Sequence, residues 1–158
     1  VYDTFGLAQE ALEYFRKAEE IFGKIPSVDS YKKGSLYNNM ALSLSDLGMY
    51  EEAFDYYRNA LEIMKTIENG ELEQAITYMN IADAAAAWKG LDEAEKEIRT
   101  CLDNAYNLLN TESLPKDGYY AFVCEKCAPG FNCYGYFDIG AEIESRAEKI
   151  YKEIGERE

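Results

Sequence analysis

A pair of small residues recurs at a constant interval in this sequence and limits the folds that the chain can adopt. A small residue is followed by a second one 12 positions later in three places: Ala41 and Ala53, Ala82 and Ala94, Ala128 and Gly140. Independent amphipathic helices would not keep this phase through three separate loops. Small residues allow two helices to approach closely, so the pattern predicts three repeated helix pairs.

Apolar residues recur at helical spacing along nearly the whole chain, which predicts helices rather than strands. Only three prolines occur among the 158 residues. Breaks that contain Gly, Pro or Asn divide the chain into seven segments. We therefore expect an all-α fold of seven antiparallel helices, with bounds near residues 5–24, 31–47, 51–68, 71–88, 91–110, 117–134 and 137–155.

The helix pairs define the expected domain organisation, which is one domain over residues 1–158 with a single core. Complete repeats are predicted at about 31–68, 71–110 and 117–155. The first helix, 5–24, carries the small, bulky and small pattern of a second helix without its mate. Since the chain also does not begin with Met, we expect it to be a fragment of a longer protein.

The charge of the chain excludes several classes of partner and reaction. Lys and Arg total 16 and Asp and Glu total 30, for a net charge of −14. Nucleic acids and anionic membranes are therefore poor partners, because both need a basic surface. The chain has no histidine, the commonest general base and metal ligand near neutral pH. We expect no enzyme activity, no cofactor and no metal.

The expected compartment is the cytoplasm. No apolar run approaches the roughly 18 residues that would span a bilayer, and no signal peptide opens the chain. The four cysteines form no obvious disulfide framework.

The stretch from Tyr37 to Ile63 resembles a tetratricopeptide repeat (TPR). Gly48 at the turn and Ala53, Tyr57 and Ala60 on the following helix match the pattern of that family. The repeats here are 41 to 46 residues long, against 34 in the standard repeat, so the chain is most similar to the long-helix kind of kinesin light chain. The resemblance implies a right-handed α-α superhelix that serves as a protein interaction module.

The resemblance also implies that the first helices of successive pairs line a concave surface that binds a peptide. Asn39 and Asn80 hold equivalent places, where asparagine contacts bound peptide in related repeats. The alternative is that these are ordinary solvated polar residues. The candidate contact residues are Asn38, Asn39, Leu42 and Asp46 in the first complete repeat, Met79, Asn80 and Asp83 in the next, and Glu125 and Lys126 in the last.

The charges on this face predict the chemistry of the partner. Asp46, Asp83 and Glu125 would repel the terminal carboxylate that some members of the family bind. We therefore expect a protein or peptide segment that is neutral or basic and has apolar anchors. The alternative function is that of a peptide-sensing regulatory domain in a larger bacterial-type regulator, with an attached effector domain.

The cysteines allow three interpretations. Cys124 and Cys127 have the spacing of a metal knuckle, and Cys133 and Cys101 could complete a zinc site. Alternatively, Cys101, Cys124 and Cys127 lie on the predicted buried stripe, where a thiol behaves as a small hydrophobic group. A redox or disulfide role is the third interpretation. We favour buried free thiols.

Overall fold

The computed structural model describes residues 4–156, and in this range it contains seven helices and no strand. The predicted all-α fold class is confirmed, and most predicted bounds agree within one or two residues. The helices are α1 (Thr4–Gly23), α2 (Ser30–Asp46), α3 (Tyr50–Met64), α4 (Glu71–Lys89), α5 (Leu91–Leu109), α6 (Gly118–Cys133) and α7 (Phe137–Gly155).

The predicted helix over 51–68 is too long, because α3 ends at Met64. The Thr66 hydroxyl donates to the Ile63 carbonyl oxygen at 2.7 Å, which satisfies a carbonyl at the helix end. The backbone then turns through Asn69, whose φ is 58°. The sequence of this turn has no Gly or Pro before Gly70, so its helical pattern gives no signal for the earlier end.

The helices pack as α2 with α3, α4 with α5 and α6 with α7, while α1 packs on α2 and α4 contacts both α2 and α6. This arrangement is an all-α helical repeat solenoid. Ala41 and Ala53 are fully buried, as are Ala82 and Ala94. The small residues of the repeat therefore lie in the interior, as the 12-residue phase predicts.

The third pair differs in the detail of its contact. Gly140 is buried, and a Cβ added there would lie 2.0 Å from the side-chain oxygen of Asn132. The Asn132 amide thus fills the space that a larger residue at position 140 would need. Its side chain therefore packs against α7.

Hydrogen bonds between successive repeats keep the first helices side by side. The Tyr31 hydroxyl of α2 donates to Glu73 of α4 at 3.4 Å, and the Asn80 amide of α4 donates to Asn38 of α2 at 3.3 Å. Both bonds join residues that are 42 positions apart. This separation is close to the repeat length of 41 to 46 residues, so each bond joins nearly equivalent positions of neighbouring repeats.

Replacing Ala41 or Ala82 by leucine is expected to lower the free energy of unfolding by about 1 to 3 kcal/mol, because the close contact has no room for a larger side chain. The matched control is Ala87→Leu on the exposed face of α4, which should change stability by less than about 0.5 kcal/mol. Urea denaturation measures both. An unfolding free energy that Ala41→Leu leaves unchanged would contradict the assigned helix contact.

Candidate binding groove

The first helices α2, α4 and α6 carry the predicted contact residues, and most of these are open to solvent. On α2, Asn38 is half-buried and the other three are exposed, while on α4 Asn80 is half-buried and Asp83 is exposed. On α6, both predicted residues are exposed. We define the groove surface as Asn38, Asn39, Leu42, Asp46, Asn80, Asp83 and Lys126.

Met79 is the predicted contact residue that the structure removes from this surface. Its side chain is only 7% exposed, and a Cβ added at Gly130 would lie 2.1 Å from its terminal methyl carbon. Met79 therefore packs into the contact between α4 and α6. The prediction fails here because helical phase alone does not show that α6 comes this close to α4 at Gly130.

Glu125 on α6 makes its side-chain contact with α7. Its carboxylate accepts a hydrogen bond from the hydroxyl of Tyr151 on α7 at 3.2 Å. The neighbouring Lys126 has its ammonium 5.9 Å from the ring centroid of Phe122. Lys126 also lies near Glu73 of α4, so of the two predicted residues on α6 it is the one that we keep in the groove surface.

The asparagines occupy the middle of the groove surface. Asn80 uses one amide hydrogen in its bond to the side-chain oxygen of Asn38. An asparagine side chain has two donors and an acceptor with two lone pairs, so both residues keep unused capacity. Asn39 is exposed beside them on α2. Together the three amides can bind the backbone of an extended chain.

One end of the groove surface is acidic, and a buried hydroxyl group lies close to its carboxylates. Asp83 accepts a hydrogen bond from the Tyr134 hydroxyl at 2.6 Å. The Tyr57 hydroxyl is buried and has no hydrogen-bond partner within the described residues. It lies close to Asp46 and Asp83, which add to the effect of burial in raising the pKa of Tyr57 to about 12. Its other neighbour, Ser45, donates instead to the Ala41 carbonyl oxygen at 2.9 Å.

The electrostatic consequence is that this end of the groove favours a positive charge. Burial raises the pKa of Asp46, because desolvation disfavours its charged form. A cation placed near Asp46 and Asp83 would stabilise their charged carboxylates. It would also donate hydrogen bonds to carboxylate oxygens that have unused acceptor capacity.

Sequence reasoning missed three residues at this surface: Tyr31, Glu73 and Tyr134. Burial raises the pKa of Glu73, while Tyr31 and the nearby Lys126 act in the opposite direction. Tyr31 and Glu73 are 42 positions apart, whereas equivalent positions of these two repeats are 41 apart, so aligning the repeats does not pair them. Tyr134 follows α6 and lies outside the helical phase, so its contact with Asp83 leaves no signal in the sequence.

None of the four cysteines belongs to the groove surface as defined above. Cys101, Cys124 and Cys127 are buried and Cys133 is exposed. Burial raises the pKa of Cys101 and of Cys127 to about 12, so these thiols stay protonated at neutral pH. Within residues 4–156, no group of three or more Cys, Asp or Glu side chains is arranged to hold a metal ion.

The purified protein is expected to contain less than one equivalent of zinc and to melt at the same temperature with and without a chelator. The physical reason is that a structural zinc needs four ligands around one point, and no group of three or more Cys, Asp or Glu side chains within residues 4–156 is arranged in this way. Native mass spectrometry checks the metal content. One zinc bound per chain would contradict the assignment of Cys124 and Cys127 as packing residues.

None of the helices in the described part of the chain is long and apolar enough to cross a bilayer.

Residues 32–107 match the family model of the tetratricopeptide repeat. The matched range begins in the first turn of α2 and ends in the last turn of α5, so it covers the first two predicted repeats. It includes every residue of the groove surface except Lys126. The long-helix subtype stays a prediction. No curated protein and no solved structure matches the chain significantly.

Proposed function

Because this chain is a tetratricopeptide repeat protein over residues 32–107, we propose that it binds an extended peptide segment of a partner protein along its groove surface. The repeat is generally a scaffold for protein interactions, which needs no catalytic group and no cofactor. The peptide, its charge and its place on this chain are our proposal. The alternative of a peptide-sensing regulator gains no support from residues 4–156.

The observation that carries the proposal is the hydrogen-bonded pair of Asn38 and Asn80 with Asn39 beside it. Amides that bridge neighbouring repeats at a fixed spacing can donate to and accept from the main chain of a ligand without requiring particular side chains. An extended peptide presents these groups at regular intervals along its length. The groove surface therefore suits a ligand that lies along the stack of first helices.

The charges on the groove surface support a basic ligand. Asp46 and Asp83 lie at one end of the groove surface. Glu73 of α4 contacts α2 through Tyr31 and lies near Lys126 of α6. Lys126 is the one cation in the groove surface as defined above. A ligand with Lys or Arg gains attraction from these carboxylates, and an acidic ligand is repelled. We propose that a Lys or Arg side chain of the peptide lies between Asp46 and Asp83.

Exposed apolar side chains near the polar groups supply the anchors. Leu42 is 42% exposed on α2, and Phe122 is 48% exposed on α6. Phe122 stacks on Tyr119, with their ring centroids 6.2 Å apart. A partner segment that places apolar residues over Leu42 and over this aromatic pair would bury surface that the free protein leaves in water.

The double variant Asn39→Ala with Asn80→Ala is expected to weaken peptide binding by about 1 to 3 kcal/mol, because each amide donates to or accepts from the ligand. A peptide selected from a random-sequence phage library on the wild-type protein serves as the probe, and fluorescence anisotropy measures its affinity. Thermal stability should change little, since Asn39 is exposed and Asn80 loses one long hydrogen bond.

The matched control is Asn59→Ala with Asn107→Ala, which removes two exposed asparagines from the second helices α3 and α5. These helices lie away from the proposed groove, so peptide affinity should stay at the wild-type value. Equal affinities for the groove variant, the control and the wild type would show that the asparagines are ordinary solvated residues.

A further inference from the structure

A second cavity in the described part of the chain lies outside the groove surface. It has a volume of about 560 Å³ and opens between the end of α5, the loop that follows it, the start of α6 and the second half of α7. None of its lining residues belongs to the groove surface. We call it the C-terminal cavity, and it is lined by Leu109, Asn110, Glu112, Lys116, Tyr120, Arg146, Lys149, Ile150 and Glu153.

The wall of the C-terminal cavity is held in place by hydrogen bonds to Arg146. The guanidinium donates to the Tyr120 hydroxyl at 3.0 Å and to the Asn110 side-chain oxygen at 2.8 Å. It also forms an ion pair with Glu142, one turn earlier on α7. The Tyr120 hydroxyl in turn donates to the carbonyl oxygen of Leu109 at 2.9 Å. The loop, α6 and α7 are thus tied together around a positive charge.

Two more cations reach the same cavity. The Lys116 ammonium lies 3.9 Å from the ring centroid of Tyr120 and makes a long hydrogen bond of 3.5 Å to the Thr111 carbonyl oxygen. Within residues 4–156, neither Lys116 nor Lys149 belongs to an ion pair. Partial desolvation at the cavity wall lowers the pKa of Lys116, and the nearby positive charge of Arg146 lowers it further.

The cations at the C-terminal cavity stand out against the negative charge of the whole protein. The protein has a net charge of −14, yet three cations meet at one cavity, where two of them crowd each other. Glu112 and Glu153 also line the cavity, but neither forms an ion pair with these cations. Arg146 is paired with Glu142, but Lys116 and Lys149 have no ion-pair partner within residues 4–156. Like charges held close together repel each other, so a bound anion would offset this repulsion. Three adjacent lining residues, Leu109, Tyr120 and Ile150, supply an apolar surface.

We propose that the C-terminal cavity binds a small organic anion, a carboxylate or a phosphate carried on an apolar skeleton. The oxyanion accepts hydrogen bonds from Lys116 and Lys149 beside the fixed guanidinium of Arg146. The skeleton lies against Leu109, Tyr120 and Ile150. The volume falls in the range of sites for small molecules, about 300 to 1,000 Å³. This site does not depend on the groove, so both ligands can be bound together.

The test uses benzoate and phenyl phosphate as anionic probes and benzamide as their neutral analogue, each titrated into the full chain and followed by ¹H–¹⁵N chemical shifts. Both anions, or one of them, should shift the resonances around Lys116, Tyr120 and Arg146, and comparing the two shows which oxyanion is preferred. Benzamide should bind at least about tenfold more weakly, because a hydrogen bond to a charged group contributes more than one to a neutral group.

The variant Lys116→Gln should weaken binding of the preferred anion at least about tenfold. The matched control is Lys96→Gln, an exposed position on α5 away from the cavity, and it should bind like the wild type. Lys116 is exposed, so neither variant should alter the fold. The proposal is overturned if neither anion shifts the cavity resonances, if benzamide binds as well as benzoate, or if the two variants bind the anion equally.

Discussion

Replacing Gly70 by alanine is expected to destabilise the protein by about 3 kcal/mol, at the upper end of the cost of overpacking a contact. A Cβ added at Gly70 would lie 1.9 Å from the carbonyl oxygen of Met64. That oxygen belongs to the backbone at the end of α3, so a side-chain rotation cannot relieve the clash. The turn between α3 and α4 has to shift, and this shift disturbs the stacking of α4 on α2.

The matched control for this prediction is Gly23→Ala at the end of α1. A Cβ there meets no atom within 4 Å, so the change should be neutral or stabilise the protein by up to about 1 kcal/mol through the unfolded chain. Urea denaturation of both variants gives the two free energies. If Gly70→Ala is as stable as Gly23→Ala, the turn does not pass as close to Met64 as the structure has it.

Gly70 shows where prediction of the fold from the sequence succeeds and where it stops. The Asn69-Gly70 pair marks a break between helices, and the phase of Ala41 and Ala82 predicts which faces are buried. Both signals are local or periodic. The reason that position 70 must be glycine is a contact with the Met64 carbonyl, which depends on how the chain turns after α3. The early end of α3 depends on the same turn and was missed for the same reason.

The double variant Asp46→Asn with Asp83→Asn is expected to weaken binding of the library-selected peptide about 100-fold, or about 3 kcal/mol, because a hydrogen bond to a charged group contributes about 1.5 to 3 kcal/mol. The two carboxylates flank the proposed place of a Lys or Arg side chain. Asparagine keeps the shape and one acceptor oxygen, so Tyr134 can still donate to position 83. Folding stability should therefore change little.

The control for the carboxylates is Asp103→Asn with Glu148→Gln. Both residues are exposed on the second helices α5 and α7, and the control removes the same number of negative charges. Fluorescence anisotropy at two salt concentrations should show near wild-type affinity for the control. If both double variants lose affinity equally, the peptide responds to the net charge of the protein and has no site between Asp46 and Asp83.

The site was only partly open to prediction from the sequence. The repeat phase indicates which helix faces are exposed, and this holds for Asn39, Leu42 and Asp83. It does not report contacts between helices, which bury Met79 against Gly130. It also gives no sign that the Tyr57 hydroxyl ends beneath two carboxylates. Such features arise from tertiary packing, in which residues far apart in sequence meet without any periodic pattern.

Peptide binding along the first helices can be tested by ¹H–¹⁵N chemical-shift mapping of the full chain with the library-selected peptide. The account predicts that the peptide contains Lys or Arg with apolar neighbours, and that the largest shifts fall on α2 and α4 around Asn39, Asp46, Asn80 and Asp83. Shifts confined to the second helices α3, α5 and α7, or a selected peptide that is acidic, would contradict it.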